Sequence, residues 1–234
     1  MSMSDAHPLD RPVWSALASR QRGLSLGDGR ARRFAPEYGP FGAAVDLEPE
    51  SIALVVALGP PGVALVETTP VAPPPGARVI TQAEVCQMIA EGFAPGDPTA
   101  EAAALGAAPL GDDDAAEMQD LTALTQPGPF STRTHQLGDF FGIRHGAALA
   151  AMAGERMQPD GFCEVSGVCT HPNWRGRGYA AGLTRLMAGR IAARGEIPFL
   201  HVMATNSGAI RVYETLGFVL RRTLILTVLA PALS

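Results

Sequence analysis

The clearest chemical signal in this sequence is a run of six residues, Arg175-Gly176-Arg177-Gly178-Tyr179-Ala180. It joins an apolar, strand-like segment at residues 162–170 to a segment at 181–188 whose apolar residues recur at helical spacing. A helix that begins after a glycine turn leaves its first backbone N–H groups without intrahelical acceptors, and the helix dipole adds positive potential there. Because glycine also lets a ligand approach the main chain closely, the run predicts a site for a phosphorylated cofactor.

Two other interpretations compete for this run. An ordinary strand-to-helix turn has a similar composition, and the pattern Gly176-x-Gly178-x-x-Ala181 also satisfies a relaxed dinucleotide-binding fingerprint. In the dinucleotide-binding fold the acidic residue that contacts the ribose ends a strand, whereas Glu196 precedes its predicted strand. The run also lies too near the C-terminus for a full doubly wound sheet, so we reject dinucleotide binding.

Composition narrows the class of protein. The chain has 234 residues, 47% of them hydrophobic, which is enough for one large domain or two small ones. Its net charge is −5 and all 18 basic residues are arginine, so no nucleic-acid-binding surface is indicated. Cys86, Cys163 and Cys169 form neither an even framework nor a C-x-x-C motif. Without a signal-peptide pattern or an apolar run of membrane-spanning length, we expect a soluble protein of the reducing cytoplasm, away from membranes.

The elements that would position the glycine run follow an α/β (α+β) order. From residue 108 onward the pattern predicts strand, helix, three strands, the glycine turn, helix, strand, helix and strand, which is typical of a mixed sheet. Two of the strands, at 140–144 and 147–155, read as a hairpin that turns at residues 145–146. A helix at 207–216 would end at Gly217.

A change in composition divides the chain into two halves. Residues 94–110 are rich in Ala, Gly and Pro, and we place a domain boundary there, giving an N-terminal α+β domain at 1–107 and a second domain at 108–234. Residues 52–58 fit a helix or a strand, residues 63–67 fit a strand, and residues 82–91 fit a helix.

The C-terminal half resembles the GNAT superfamily of acetyl-coenzyme A-dependent acyltransferases. The glycine run fits the family's Arg/Gln-x-x-Gly-x-Gly/Ala loop, Asn206 fits its asparagine after the fifth strand, and residues 209–218 fit its A-x-x-x-Y-x-x-x-G-F ending. The three elements occur in order and at family spacing, over roughly the last 125 residues. The resemblance implies a mixed, mostly antiparallel sheet flanked by helices. Residues 1–107 would then be either a degenerate copy of the same fold or an unrelated α+β cap.

The resemblance also implies roles for particular residues in binding acetyl-CoA as a co-substrate. The loop amides would bind the pyrophosphate, and the end of the preceding strand would pair with the pantetheine arm, with one of its amides polarising the thioester carbonyl. Asn206 would contact the pantetheine side. The cofactor-binding residues implied in this way are Val168, Cys169, Thr170, Arg175, Gly176, Arg177, Gly178, Tyr179, Ala180, Asn206 and Ala209.

Two catalytic residues are predicted for direct transfer of an acetyl group to a primary amine in a ternary complex. Tyr213 is the candidate acid for the departing thiolate, with a core aromatic as the alternative. Glu164 is the candidate base, because residues 164, 166, 168 and 170 of an extended strand share one face, with a structural carboxylate as the alternative. The five histidines have no metal-ligand spacing, so no metal is expected, and His201, in an apolar strand, is typical of a hydrogen-bonded core histidine.

One segment is a candidate for binding the acceptor. The long polar segment at 125–141 follows the first helix, where the family places its acceptor loop, and it makes Phe130 and Arg133 the candidate acceptor-binding residues. A competing function is a non-catalytic, coenzyme A-binding regulatory protein. The acceptor, a small molecule or a peptide, is not specified by the sequence, and a homodimer is left open as the assembly.

Overall fold

The computed structural model describes residues 7–59 and 62–232. Within these ranges the helices are α1 Pro12–Ala18, α2 Pro49–Ala57, α3 Pro98–Leu105, α4 Ala115–Thr125, α5 Tyr179–Ala193 and α6 Ser207–Thr215. The strands are β1 Ser25–Gly27, β2 Ala31–Phe34, β3 Gly42–Ala44, β4 Val63–Glu67, β5 Ala77–Ile89, β6 Ala107–Leu110, β7 Phe140–His145, β8 Ala148–Glu155, β9 Phe162–Thr170, β10 Ile197–Met203 and β11 Val219–Pro231. In the described part of the chain, no helix combines the length and hydropathy needed to cross a membrane.

Eight strands form one sheet in the order β4-β11-β5-β10-β9-β8-β7-β6, and β1, β2 and β3 form a small second sheet. All neighbours in the large sheet are antiparallel except β9 and β10. This confirms the expected mixed, mostly antiparallel sheet and the element order from residue 108 onward. The predicted domain boundary at residue 107 falls at the first residue of β6, while β4 and β5 lie in the same sheet as β6 to β11.

Two elements of the N-terminal half differ from, or decide between, the predictions made for them. Residues 82–91 were expected to be helical, but β5 is an extended strand that pairs with both β10 and β11. Its β-branched residues, such as Val79, Ile80 and Val85, suit a strand with neighbours on either side, so pairing overrides the helix-like spacing. Residues 52–58, which fitted either element, lie almost entirely in helix α2.

Helices cover both faces of the sheet, because the strands alternate the direction of their side chains. On β7, Phe141 joins a core that includes residues of α5 and the segment after α6, whereas Phe140 joins a core formed with α4. Helix α1 packs with β3, β4 and β5 in a further core, to which Phe41 contributes. Both faces of the sheet thus bury apolar side chains, which is the main stabilising contribution to the fold.

The feature that matters most for function is a wedge between β9 and β10. The two strands pair only from Phe162↔Ile197 to Glu164↔Phe199. Beyond that point β10 pairs with β5 through Met203, and β9 continues along β8 to Thr170. We call the space between residues 165–170 and 200–203 the wedge.

Gly217 offers a test of how closely the N-terminal half is joined to the rest. Its φ is +89°, and a Cβ added there would lie 2.5 Å from the carbonyl oxygen of Gly92. Gly195 has φ +78° with nothing within 4 Å, so it is a matched control for backbone strain alone. We expect Gly195→Ala to lower the free energy of unfolding by about 1 kcal/mol.

Gly217→Ala should cost roughly 2 kcal/mol more than the control, because the backbone of Gly92 must also move. Urea denaturation of both variants and of the parent protein measures the difference. Equal losses for the two variants would show that the contact between Gly217 and Gly92 does not constrain the fold.

Candidate active site

A cavity of about 610 Å³ extends from the wedge toward the N-terminal half of the chain. Its wall includes the end of β9, the glycine run, and the starts of α5 and α6. Most of the residues predicted to bind the cofactor or to catalyse the reaction are in this wall: Val168, Cys169, Thr170, Arg175, Gly176, Gly178, Tyr179, Ala180, Asn206, Ala209 and Tyr213. Arg177, Glu164, Phe130 and Arg133 are predicted site residues that do not line it.

The glycine run has the free donors that the sequence predicted. In the described structure, the backbone N–H groups of residues 176–181 have no acceptor within the protein, and the first bond of this turn is from Gly182 N to Gly178 O at 2.9 Å. Gly176 and Gly178 have φ of +76° and +77°, and an added Cβ would meet nothing within 4 Å. The run is therefore a set of unpaired donors at the N-terminus of a fifteen-residue helix, with open space beside its glycines.

The end of β9 also presents unused hydrogen-bonding groups. His171 N donates to Ala150 O at 2.8 Å, so by the alternation of an antiparallel pair the N–H of Thr170 points to the side that β10 has left. Thr170 Oγ1 is buried without a hydrogen-bond partner among the described atoms. Asn206 caps α6, its Oδ1 accepting from Ala209 N at 3.1 Å, which leaves its side-chain NH₂ group to donate elsewhere.

Tyr213 stands in the wall with its phenol protonated. Burial raises the pKa of Tyr213 to about 12. Its ring packs against Phe218 at 6.2 Å between centroids, and no bond from its hydroxyl to another described protein group is found. The side chain can therefore donate a hydrogen bond to a group in the cavity.

Glu164, the predicted base, lies behind the wall. Its side chain is fully buried, and its carboxylate accepts from Arg156 Nε at 2.9 Å and Arg156 Nη2 at 2.7 Å. His201 Nδ1 lies 2.7 Å from Oε1. Burial alone would raise the pKa of Glu164, but the charge of Arg156 and the hydrogen bonds from Arg156 and His201 outweigh it and lower the pKa to about 2. Such a carboxylate is a weak base with both oxygens already in use.

A local irregularity explains why Glu164 does not lie beside Val168 and Thr170. A shift in the register of β8 and β9 occurs between Met152 and Gly154, and Gly167 on β9 has φ +63°. Such a β-bulge breaks the alternation of faces along β9. The expectation that residues 164, 166, 168 and 170 share one face holds only for a strand without a bulge.

Arg156 and His201, which the sequence did not single out as site residues, line the cavity in place of Glu164. His201 is also held from the opposite side: Gln87 Nε2 is 3.1 Å from His201 Nε2. Arg221 Nη1 donates to Gln87 Oε1 at 2.9 Å, so the atom facing His201 is the amide nitrogen. His201 Nε2 therefore accepts from Gln87, and its Nδ1–H donates to Glu164.

The predicted acceptor loop reaches the cavity through its first residues. Residues 125–129, including Gln126 in a left-handed conformation at φ 53°, line the wall. Phe130 instead packs edge-on against Phe140 at 5.8 Å. The Arg133 guanidinium lies 5.0 Å from the centre of the Tyr38 ring. Both side chains serve packing contacts in this structure.

Two further kinds of chemistry, a metal site and a reactive cysteine, can be examined in the described residues. The residues described include no group of three or more His, Cys, Asp or Glu side chains placed to hold a metal ion. Cys169 lines the cavity, but burial raises the pKa of its thiol to about 11, which leaves it protonated and a poor nucleophile.

Comparisons with known proteins agree with this geometry. A family model described as FR47-like protein matches residues 140–225. A crystal structure of a protein from Novosphingobium aromaticivorans, assigned to the GNAT family of acetyltransferases, is 47% identical, with a TM-score of 0.89 over 97% of this chain and 100% of that one. The chain belongs to the GNAT family. Among curated proteins, no match to the sequence was found.

More distant GNAT structures share the fold along nearly the whole chain. A GCN5-related N-acetyltransferase from Kribbella flavida is 18% identical, with a TM-score of 0.59 over 95% of this chain and 96% of that one. A GCN5-related N-acetyltransferase-like protein from Streptococcus suis is 15% identical, with a TM-score of 0.59 over 94% of this chain and 92% of that one. The similarity therefore includes the N-terminal half.

The buried pair of Glu164 and Arg156 makes a testable contribution to stability. Because the pKa of Glu164 is lowered, its contribution is present above the unfolded-state pKa near 4.5 and is lost as the pH falls toward 2. A shift of this size corresponds to roughly 3 kcal/mol. Glu164→Gln should lower the free energy of unfolding at pH 7 by about 3–5 kcal/mol, because Arg156 is left without its counter-charge.

The measurement is urea denaturation at pH 7 and at pH 3 for the parent protein, Glu164→Gln and Glu214→Gln, an exposed carboxylate on α6. We expect the gap between the parent and Glu164→Gln to narrow at pH 3, and Glu214→Gln to follow the parent. A gap that stays constant with pH would contradict the lowered pKa.

Proposed function

We propose that this GNAT protein is an acetyl-CoA-dependent N-acetyltransferase that transfers an acetyl group directly to a primary amine in a ternary complex. One observation supports this most strongly: the open edge of β9 leads into a loop of unpaired amides, and both border one cavity with Tyr213. An extended strand edge suits an extended chain, and the amide loop suits a diphosphate. Acetyl-CoA has both parts in that order.

The residues present fit this co-substrate. The amides of residues 176–181 would bind the pyrophosphate, and Arg175, whose Nε is 3.4 Å from Thr170 O, would add positive charge at the turn. The edge of β9 at residues 168–170 would hold the pantetheine arm, with the free NH₂ group of Asn206 on its other side. Acetyl-CoA supplies an acetyl group activated as a thioester.

The chain's own groups would then stabilise charge as the acetyl group moves to the amine and the thiol leaves. The N–H of Thr170 would donate to the carbonyl oxygen. Tyr213 would donate a hydrogen bond to the departing thiolate. Since a free thiol has a pKa of about 8.5, full proton transfer from a phenol of pKa about 12 is unfavourable by about 3.5 units. Tyr213 therefore acts mainly as a hydrogen-bond donor, and the thiolate takes its proton from solvent.

The base is not assigned to a side chain. The described residues of the cavity wall include no carboxylate, and His201 Nε2 already accepts from Gln87. The amine would lose its proton to water. The same observation favours the second candidate function, a coenzyme A-binding protein without catalysis, which predicts tight binding of acetyl-CoA and no transfer to any amine.

Tyr213→Phe tests the proposed catalytic role. The change removes only the hydroxyl, so we expect kcat to fall by about 10²-fold while KM for acetyl-CoA changes little. Tyr38→Phe is the matched control, because Tyr38 lies outside the cavity wall. Release of the coenzyme A thiol with a panel of primary amines measures both variants. An unchanged kcat in Tyr213→Phe would remove the hydroxyl from the mechanism.

Gly178→Ala tests the amide loop independently of turnover. Gly178 and Gly195 have nearly the same φ, +77° and +78°, and open space around an added Cβ. The backbone strain of the two alanine variants should therefore be similar, but only the methyl at position 178 would stand where the pyrophosphate approaches. By calorimetry, we expect the Kd for coenzyme A to rise at least tenfold in Gly178→Ala and to stay constant in Gly195→Ala. Equal affinities would place the pyrophosphate elsewhere.

A further inference from the structure

One part of the cavity wall, formed mainly by the N-terminal half of the chain, is apolar. Phe41, Val66 and Val85, from the N-terminal half, and Leu226, from β11, contribute to its wall. Phe41, Val66 and Val85 are almost fully buried and belong to the core packed under α1. Rigid core side chains in a cavity wall favour an apolar group of the bound molecule.

The charges around the cavity are unbalanced. Its charged side chains are Arg156 and Arg175, and the described lining residues include neither Asp nor Glu. This contrasts with the protein as a whole, whose net charge is −5. Arg175 adjoins the amide loop and is accounted for by the co-substrate, whereas Arg156 lines the cavity and pairs with Glu164 behind the wall. A ligand with several ammonium groups would meet no carboxylate in this wall, whereas a ligand carboxylate would meet guanidinium N–H donors.

Arg156 is held in a fixed orientation. Its Nε and Nη2 bind Glu164, and its guanidinium carbon lies 4.6 Å from the centre of the Phe41 ring. Its side chain is only 11% exposed. No acceptor for Nη1 is found among the described residues, so part of the donor fork remains unused in a side chain that lines the cavity. Such a group binds a planar carboxylate with little loss of conformational entropy.

We propose that the acceptor is a free amino acid with an apolar side chain. Its carboxylate binds Arg156, its side chain contacts Phe41, Val66 and Leu226, and its α-amine receives the acetyl group. This rests on the proposed function, and it excludes polyamines, which lack a carboxylate, and internal peptide segments. In this proposal Glu164 is a positioning residue. Its carboxylate is hydrogen-bonded to His201 and fixes the orientation of the Arg156 guanidinium.

The test compares molecules of one shape and different charge. The probes are leucine and phenylalanine, their amides, the corresponding amines without the carboxyl group, and spermidine. We expect kcat/KM for the better amino acid to exceed that of its amide and of its decarboxylated amine at least 30-fold at pH 7.5. The comparison with the amide is stringent, because an α-amine next to an uncharged carbonyl has a pKa of about 7.7–8.0 and therefore supplies more free base at this pH.

Variants of Arg156 and Glu164 test which residues cause the preference for the acid over the amide. Arg156→Gln together with Glu164→Gln removes both charges of the buried pair, so neither is left alone. The preference of this double variant for the acid over the amide should fall below threefold. Arg156→Lys keeps the charge without the planar fork, and it should show an intermediate value. Arg20→Gln, on the surface and outside the cavity wall, should keep the full preference.

Calorimetry measures the binding of leucine and phenylalanine to the complex with coenzyme A. It distinguishes failure of the proposed acceptor from failure of the proposed acetyltransferase function. Acetylation of spermidine or simple amines without preference for the acid would overturn the proposed acceptor and leave the acetyltransferase function standing. Amino-acid binding that depends on Arg156 but is never followed by transfer would support the acceptor site and overturn the catalytic function. An acid preference that survives in the double variant would also overturn the role of Arg156.

Discussion

The site depends on one constraint, which is that β9 and β10 pair over only part of their length. Its parallel pairing with β9 ends at Phe199, and its antiparallel pairing with β5 continues to Met203. Residues 165–170 of β9 are thereby left with one unpaired edge. Unpaired strand edges usually promote aggregation and are covered or shortened. Here the edge opens into a cavity, where an extended ligand can supply the missing partner.

The N-terminal half is part of this constraint. Strand β5 pairs with the other edge of β10, and it carries Gln87, which holds His201. His201 holds Glu164, and Glu164 holds Arg156 in the cavity wall. This buried series of hydrogen bonds crosses three strands at the closed end of the wedge. Removing one member would leave another with an unmet hydrogen bond or charge, which is costly in a region of low polarity.

The sequence predicted the C-terminal elements and the amide loop well, because both are local. The glycine run, its flanking strand and helix, and the order from β6 to β11 follow from spacing within short segments. Strand β5 was mistaken for a helix because its pairing with β10 and β11 involves residues more than 100 positions away. The positions of Arg156 and His201 in the cavity wall were not anticipated for related reasons: a bulge at Gly167 changes the faces of β9, and the buried pairs form only in the folded sheet.

One signal for the missed residues was present. His201 is a polar residue inside an otherwise apolar strand, and such a residue needs buried partners wherever the strand lies. Its partners could not be identified from spacing, since Gln87 and Glu164 lie 114 and 37 positions away.

The most direct test of the central claim is a crystal structure of the protein with coenzyme A. The account predicts that the pyrophosphate accepts hydrogen bonds from amides within residues 176–181, that the pantetheine arm lies along residues 168–170, and that the sulfur is near the hydroxyl of Tyr213. Coenzyme A bound away from the wedge, or with its thiol directed away from the cavity beside Arg156 and His201, would contradict it.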